Sequence, residues 1–134
     1  MSNTQAVGVA YSDPEFTTMY ASQEIGYSAS AQGSVTQATS KSTAVTLNKS
    51  MGRITMNNAA LAGGATVNFT LNNTSIGDND VVSVSISGGA TVGAYWPYVA
   101  DQASGSATIG LYNNTAGSLS EAVVVNFVVI HGAS

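Results

Sequence analysis

The sequence predicts an all-β fold, an antiparallel β-sandwich or jelly roll of about eight strands preceded by an irregular N-terminal arm. Three observations predict it. Short runs rich in Val, Ile, Thr and aromatic residues alternate apolar with polar at a period of two, which places one face on a core and one in water. Asn- and Gly-containing pairs punctuate those runs at the spacing of turns. The density of Gly, Ser, Thr, Asn and β-branched residues disfavours helix almost everywhere.

Residues 1 to about 32 show no sustained period and end in the small-residue stretch Tyr27–Gly33, so the chain divides into an arm over 1–32 and a sandwich domain over 33–134. Only 13–25 and 58–62 could hold a helical turn or two. The first strands are predicted at 34–39, 43–47 and 52–56. Val67, Phe69 and Leu71 then face one way against Asn68 and Thr70, after the Gly63-Gly64 turn. Val82, Val84 and Ile86 alternate with Ser83 and Ser85 after Gly77-Asp78-Asn79. A strand over 92–99 contains Pro97, which cannot donate a ladder bond and so marks an edge strand or a bulge. Ala107, Ile109 and Leu111 follow the Ser104-Gly105 turn. The last strand, 122–130, is apolar on both faces except for Asn126. Such a strand is either central in its sheet and covered on both sides, or offers its outer face to another subunit.

The composition excludes several function classes. Of 134 residues, 44% are hydrophobic and only 7% charged, so the surface must be covered by hydroxyl, amide and glycine groups. Three basic residues (Lys41, Lys49, Arg53) cannot neutralise a phosphate backbone, so no nucleic-acid partner is expected. With no cysteine there is neither disulfide, thiolate nucleophile nor zinc–thiolate site. No apolar run approaches the ~18 residues of a membrane helix, and no secretory signal is visible at the N-terminus. The expectation is a protein made in a cytoplasm, with no membrane partner.

Catalysis is poorly provisioned. The one histidine, His131, follows the last strand and reads as a solvent-facing residue; a Ser–His–Asp unit would require a buried carboxylate to hold it, and no Gly-x-Ser-x-Gly elbow is present. The seven acidic residues lie in turns or in the N-terminal region, where carboxylates are solvated or cap backbone groups. Gly77-Asp78-Asn79-Asp80 has calcium-like oxygen density without the frame of an EF-hand loop, so no metal and no cofactor is expected. The Asn-x-Ser/Thr triplets at Asn48, Asn68, Asn72, Asn73 and Asn113 are expected by chance in so Asn- and Thr-rich a chain. The aromatic cluster Tyr95, Trp96 and Tyr98 can pack in the core, meet another subunit or stack on a sugar ring. In the arm, Tyr11, Phe16, Met19, Tyr20, Ile25 and Tyr27 are anchors for a partner, and Val7, Val9 and Tyr11 have the alternation needed to pair with a strand edge.

Three stretches carry a resemblance: Gly33–Lys49 with Gly52–Leu61, the ending Asn113–Ile130, and the opening Val7-Gly-Val-Ala-Tyr-Ser-Asp-Pro-Glu-Phe16. They resemble a family of small structural proteins of tailed bacteriophages and prophages. The resemblance implies a non-enzymatic virion component, and the leading expectation is a capsid decoration (cement) protein on the capsid surface, binding the major capsid protein and itself. A homotrimer is expected, because proteins of that kind often occupy threefold positions. The alternative expectation is a receptor- or glycan-binding domain of a tail or head fibre, with Tyr95, Trp96 and Tyr98 as contacts. No catalytic residue follows from the resemblance.

Overall fold

A computed structural model describes residues 15–133. Among the described residues eight strands form: β1 (Gln32–Thr36), β2 (Val45–Thr46), β3 (Met51–Thr55), β4 (Thr66–Asn72), β5 (Val81–Gly88), β6 (Tyr95–Ala103), β7 (Ser106–Asn113) and β8 (Val124–Ile130). They make two four-stranded sheets, ordered β1-β3-β8-β5 and β2-β4-β7-β6. The all-β, two-sheet expectation holds, and all eight predicted runs contain a strand.

The pairing corrects one part of the expectation. β1 pairs with β3 in parallel, and β2 with β4 in parallel; the other pairs are antiparallel. The reason is that the chain changes sheet at nearly every connection. β1 leaves for β2 in the opposite sheet, β2 returns to β3 beside β1, and β3 crosses again to β4 beside β2. A parallel pair needs a crossover, and here a strand of the facing sheet supplies it. Only β6 and β7 are joined by a tight hairpin, closed by the Ala103–Ser106 pair around Ser104-Gly105.

Boundaries shift for local reasons. The strand expected over 92–99 starts at Tyr95, because Ala94 N–H bonds Thr91 O in a turn with Gly93 at φ +77°. β1 stops at Thr36, since Gln37 turns inward and its amide bonds the carbonyls of Lys41 and Thr43. The helical turns allowed at 13–25 and 58–62 do not form among the described residues; 58–62 makes an extended bridge between Leu61 and Leu119. One short 3₁₀ turn, Ala29–Ala31, leads into β1. Pro97 sits on an edge strand, and β6 carries a bulge between Val99 and Asp101.

The inner faces interdigitate Ile54, Phe69, Leu71, Ile109, Leu111, Val125, Phe127 and Val129. Each side chain of this size stabilises the fold by about 1.5–3 kcal/mol on burial. β8 is central in its sheet, between β3 and β5. Its inner face is fully buried, while Val124, Asn126 and Val128 on the outer face are half-buried. Two asparagines close the ends of β4 and β7. Asn73 bonds Lys49 O and receives Ser75 N–H; Asn113 bonds Leu61 O and Gly117 O and receives Thr115 N–H. Both are fully buried, so these two Asn-x-Ser/Thr triplets are turn chemistry.

Each sheet end belongs to one of two poles. Gln32, Met51, Val81 and Ile130 lie at the pole where the arm enters and residues 131–133 leave. Thr36, Thr55, Gly88 and Val124 lie at the other, with the connections 37–44, 56–65, 89–94 and 114–123.

Candidate functional site

The eleven arm and aromatic residues singled out in the sequence fall into separate places. Val7, Val9 and Tyr11 lie outside the described residues. Residues 15–26 contain no strand or helix and are exposed. Phe16 is 59% accessible, Met19 62%, Tyr20 92% and Ile25 78%. Tyr27 is the exception, for its hydroxyl bonds Val129 O and its ring meets the His131 ring edge-on at 6.1 Å. Ile25, Gly26 and Tyr27 border an apolar groove of about 710 Å³ with Met51, Val128, Ile130 and His131. The arm is therefore rooted at Tyr27 against β8.

At that root, His131 is held as the sequence did not suggest. Its Nδ1 donates to Asp80 Oδ2 at 3.0 Å, and its Nε2 shares a hydrogen bond with Ser50 Oγ at 3.3 Å. Asp80 is only 6% accessible at its side chain. Its carboxylate also accepts Gly77 N–H at 2.7 Å and Gly132 N–H at 2.9 Å. The Gly77 bond, foremost, and the bonds from Gly132 and His131 hold its pKa below the ordinary 3.8 against a smaller opposing effect of burial. Asp80 is thus a turn carboxylate of the kind that caps backbone groups, and it holds the imidazole as well. Serine, imidazole and carboxylate stand in the order that acyl-transfer enzymes use. Such chemistry also needs a water-excluded site with donors aimed at the developing oxyanion, whereas the imidazole is 45% accessible at an open end of the sandwich. The geometry is that of a clamp, with Asp80 stitching the β4–β5 connection to the residues after β8. The sequence signal for it was the Asp80–Val81 and Ile130–His131 junctions, which pair once β5 and β8 are known to be neighbours.

The aromatic cluster is split by strand parity. Tyr95 points inward and is buried, its hydroxyl without a hydrogen-bond partner. Burial, and then the neighbouring Glu121 carboxylate, push its phenol up to about 12. Trp96 and Tyr98 point outward from the β2-β4-β7-β6 sheet. The register brings further residues, unmarked in the sequence, to the same face. Trp96 stands opposite Tyr112, which stands opposite Thr66; Tyr98 stands opposite Gly110, which stands opposite Asn68. The Trp96 and Tyr112 rings meet at 5.6 Å and 46°.

The connections at the far pole hold a buried cation. Lys41 is 3% accessible, and its ammonium donates to Asn57 O and Glu121 O, each at 2.5 Å. Burial lowers its pKa, and the Glu121 charge partly offsets this. Glu121 in turn accepts both the hydroxyl and the N–H of Thr91. Among the described residues no three metal-ligating side chains cluster; Asp78 caps Ser104 N–H instead of facing Asp80's partners. Comparison with protein-family models, with curated proteins and with solved structures returns no match.

Proposed function

We propose that the chain is a non-enzymatic structural protein of a bacteriophage virion, a capsid decoration protein that binds the assembled head. Its N-terminal arm makes the contact with the major capsid protein or with a neighbouring copy in a homotrimer. One observation carries the reading. Phe16, Met19, Tyr20 and Ile25 project from a segment that makes no strand or helix of its own, while the arm is fixed to the sandwich at Tyr27. Large apolar side chains left in water are a binding asset, each worth about 1.5–3 kcal/mol once buried, before the cost of ordering the segment. A capsid repeats one epitope many times, so modest arm contacts in an oligomer gain avidity. The half-buried apolar outer face of β8 favours self-association of the sandwiches.

The test is sedimentation with capsids. Full-length protein is expected to restore heat resistance to heads stripped of their decoration. A variant lacking residues 2–26 is expected to keep the β-sheet circular dichroism spectrum and to lose head binding. Undiminished occupancy by the truncated protein would overturn the arm reading, and stripped heads with full heat resistance would overturn the cement role.

A further inference from the structure

The outer face of the β2-β4-β7-β6 sheet carries an aromatic floor. Gly110 makes it possible. A methyl group at position 110 would lie 2.2 Å from Tyr98 Cζ and 2.6 Å from its Cε2, so the Tyr98 ring lies down across β7 where a side chain would otherwise stand. Its hydroxyl reaches Asn68 Oδ1 on β4 at 3.2 Å and pins the far end of the ring. The next row holds Trp96 against Tyr112. Trp96 remains 57% accessible and Tyr98 38%.

The surroundings select among ligands. Alternation along β4 and β7 places Thr66, Asn68, Thr70 and Thr108 on this face, a border of hydroxyl and amide groups. The only charged side chain on these four strands is Asp101, beside the bulge; Lys41 is buried and Lys49 and Arg53 belong elsewhere. Nucleobases also stack on aromatic rings, but their backbone needs cations that this face lacks. A pyranose presents an apolar C–H face suited to the electron-rich face of an aromatic ring. Its hydroxyls match amide and hydroxyl partners that both donate and accept. Because Tyr98 is already pinned, little side-chain freedom is lost on binding.

We propose that this face binds a neutral oligosaccharide, with Trp96, Tyr112 and Tyr98 as the stacking floor and Asn68 with its threonine neighbours as the polar rim. The site is independent of the arm, and it goes beyond the structural role proposed above. Tyr95 has no part in it, since that side chain faces the core.

Trp96 is the only tryptophan in the chain, so its emission reports directly on the site. The full-length protein is titrated with cello-, malto-, laminari- and chitohexaose, with oligo-dT and anionic phosphatidylglycerol vesicles as charged competitors. At least one neutral hexaose is expected to change Trp96 emission saturably, and both charged probes to leave it unchanged. Tyr98→Ala is expected to weaken binding roughly tenfold, and Tyr95→Phe to leave it unaltered. Gly110→Ala retains every aromatic residue but displaces the Tyr98 ring, and it is expected to weaken binding roughly fivefold while the circular dichroism spectrum is kept. Should that variant misfold, Asn68→Ala tests the same pinning from the other end. Four silent neutral sugars would overturn the proposal. So would binding that survives Tyr98→Ala with Gly110→Ala, a response to the charged probes alone, or a concentration-dependent emission shift without sugar, which would assign the face to a second copy.

Discussion

Replacing Lys41 by Met weighs two opposed effects at one buried site. The methionine stem fills much the same space as the lysine chain, so packing is largely preserved. What is removed is a cation whose burial costs stability, together with the donors to two half-buried carbonyls, Asn57 O and Glu121 O, each at 2.5 Å. Leaving a fully buried acceptor unsatisfied costs about 1–3 kcal/mol, so two half-buried ones together cost at most roughly 6 kcal/mol. Relief of the ammonium's desolvation returns part of that. The Lys41 stitch also joins three connections, since Gln37 bonds Lys41 O and Asn57 N–H within the same knot. The expected net loss is about 2–3 kcal/mol, read as a lower urea midpoint at constant slope. In a domain of this size that corresponds to a fall in Tm of about 6–12 °C. The pH dependence gives a second reading. Because the folded pKa lies below 10.5, the unfolded chain binds more protons on the approach to that pH, so wild-type stability rises there and the Met variant lacks the rise. A Met variant as stable as the wild type would refute the reasoning, since the ammonium's burden would then outweigh both of its bonds.

Asp80, with its lowered pKa, contributes stability that is complete above its unfolded value near 3.8 and is lost as pH falls through the folded value; Asp80→Asn should flatten the decline of the urea midpoint below about pH 4. Tyr95→Phe removes a buried hydroxyl without a partner, so stability should stay level or rise by up to about 1 kcal/mol, and a loss above that would reveal a bond to Glu121. Asn113→Ala removes a fully buried side chain and its bonds to Leu61, Thr115 and Gly117, with an expected cost of about 2–4 kcal/mol in thermal or urea melts. A fluorophosphonate probe should leave Ser50 unlabelled in the intact protein; labelling abolished by Ser50→Ala would overturn the non-enzymatic reading.

The sheet-forming runs were legible because alternation survives in them: Val67, Phe69 and Leu71, or Ala107, Ile109 and Leu111, bury one face whatever the topology. The parallel pairs were not, because alternation states which face is buried and not which strand lies alongside. Val45 and Leu71 carry no mark of their partnership. The aromatic floor shows the same limit. Outward parity of Tyr112 follows from its inward neighbours, but the partnership of Trp96 with Tyr112 does not follow from counting back from the Ala103–Ser106 closure. The extra residue at the Val99/Asp101 bulge moves the register by one, and an unbulged ladder would set Trp96 against Asn113. The Asp80–His131–Ser50 clamp joins two connections and the residues after β8, all far apart in sequence, and no local pattern encodes it.

Because the root of the arm and residues 131–133 share a pole, the proposed capsid-binding role would make the sandwich a one-sided mount. In the proposed role, a surface gripped at the arm's root would lie beneath Tyr27, His131 and the Ser104-Gly105 hairpin. The connections at the other pole face away from it, and Val92, between Thr91 and Gly93, is fully exposed there. A guest peptide inserted there would stand clear of the support, repeated at every occupied position, while the core, the clamp and both sheet faces remained as they are.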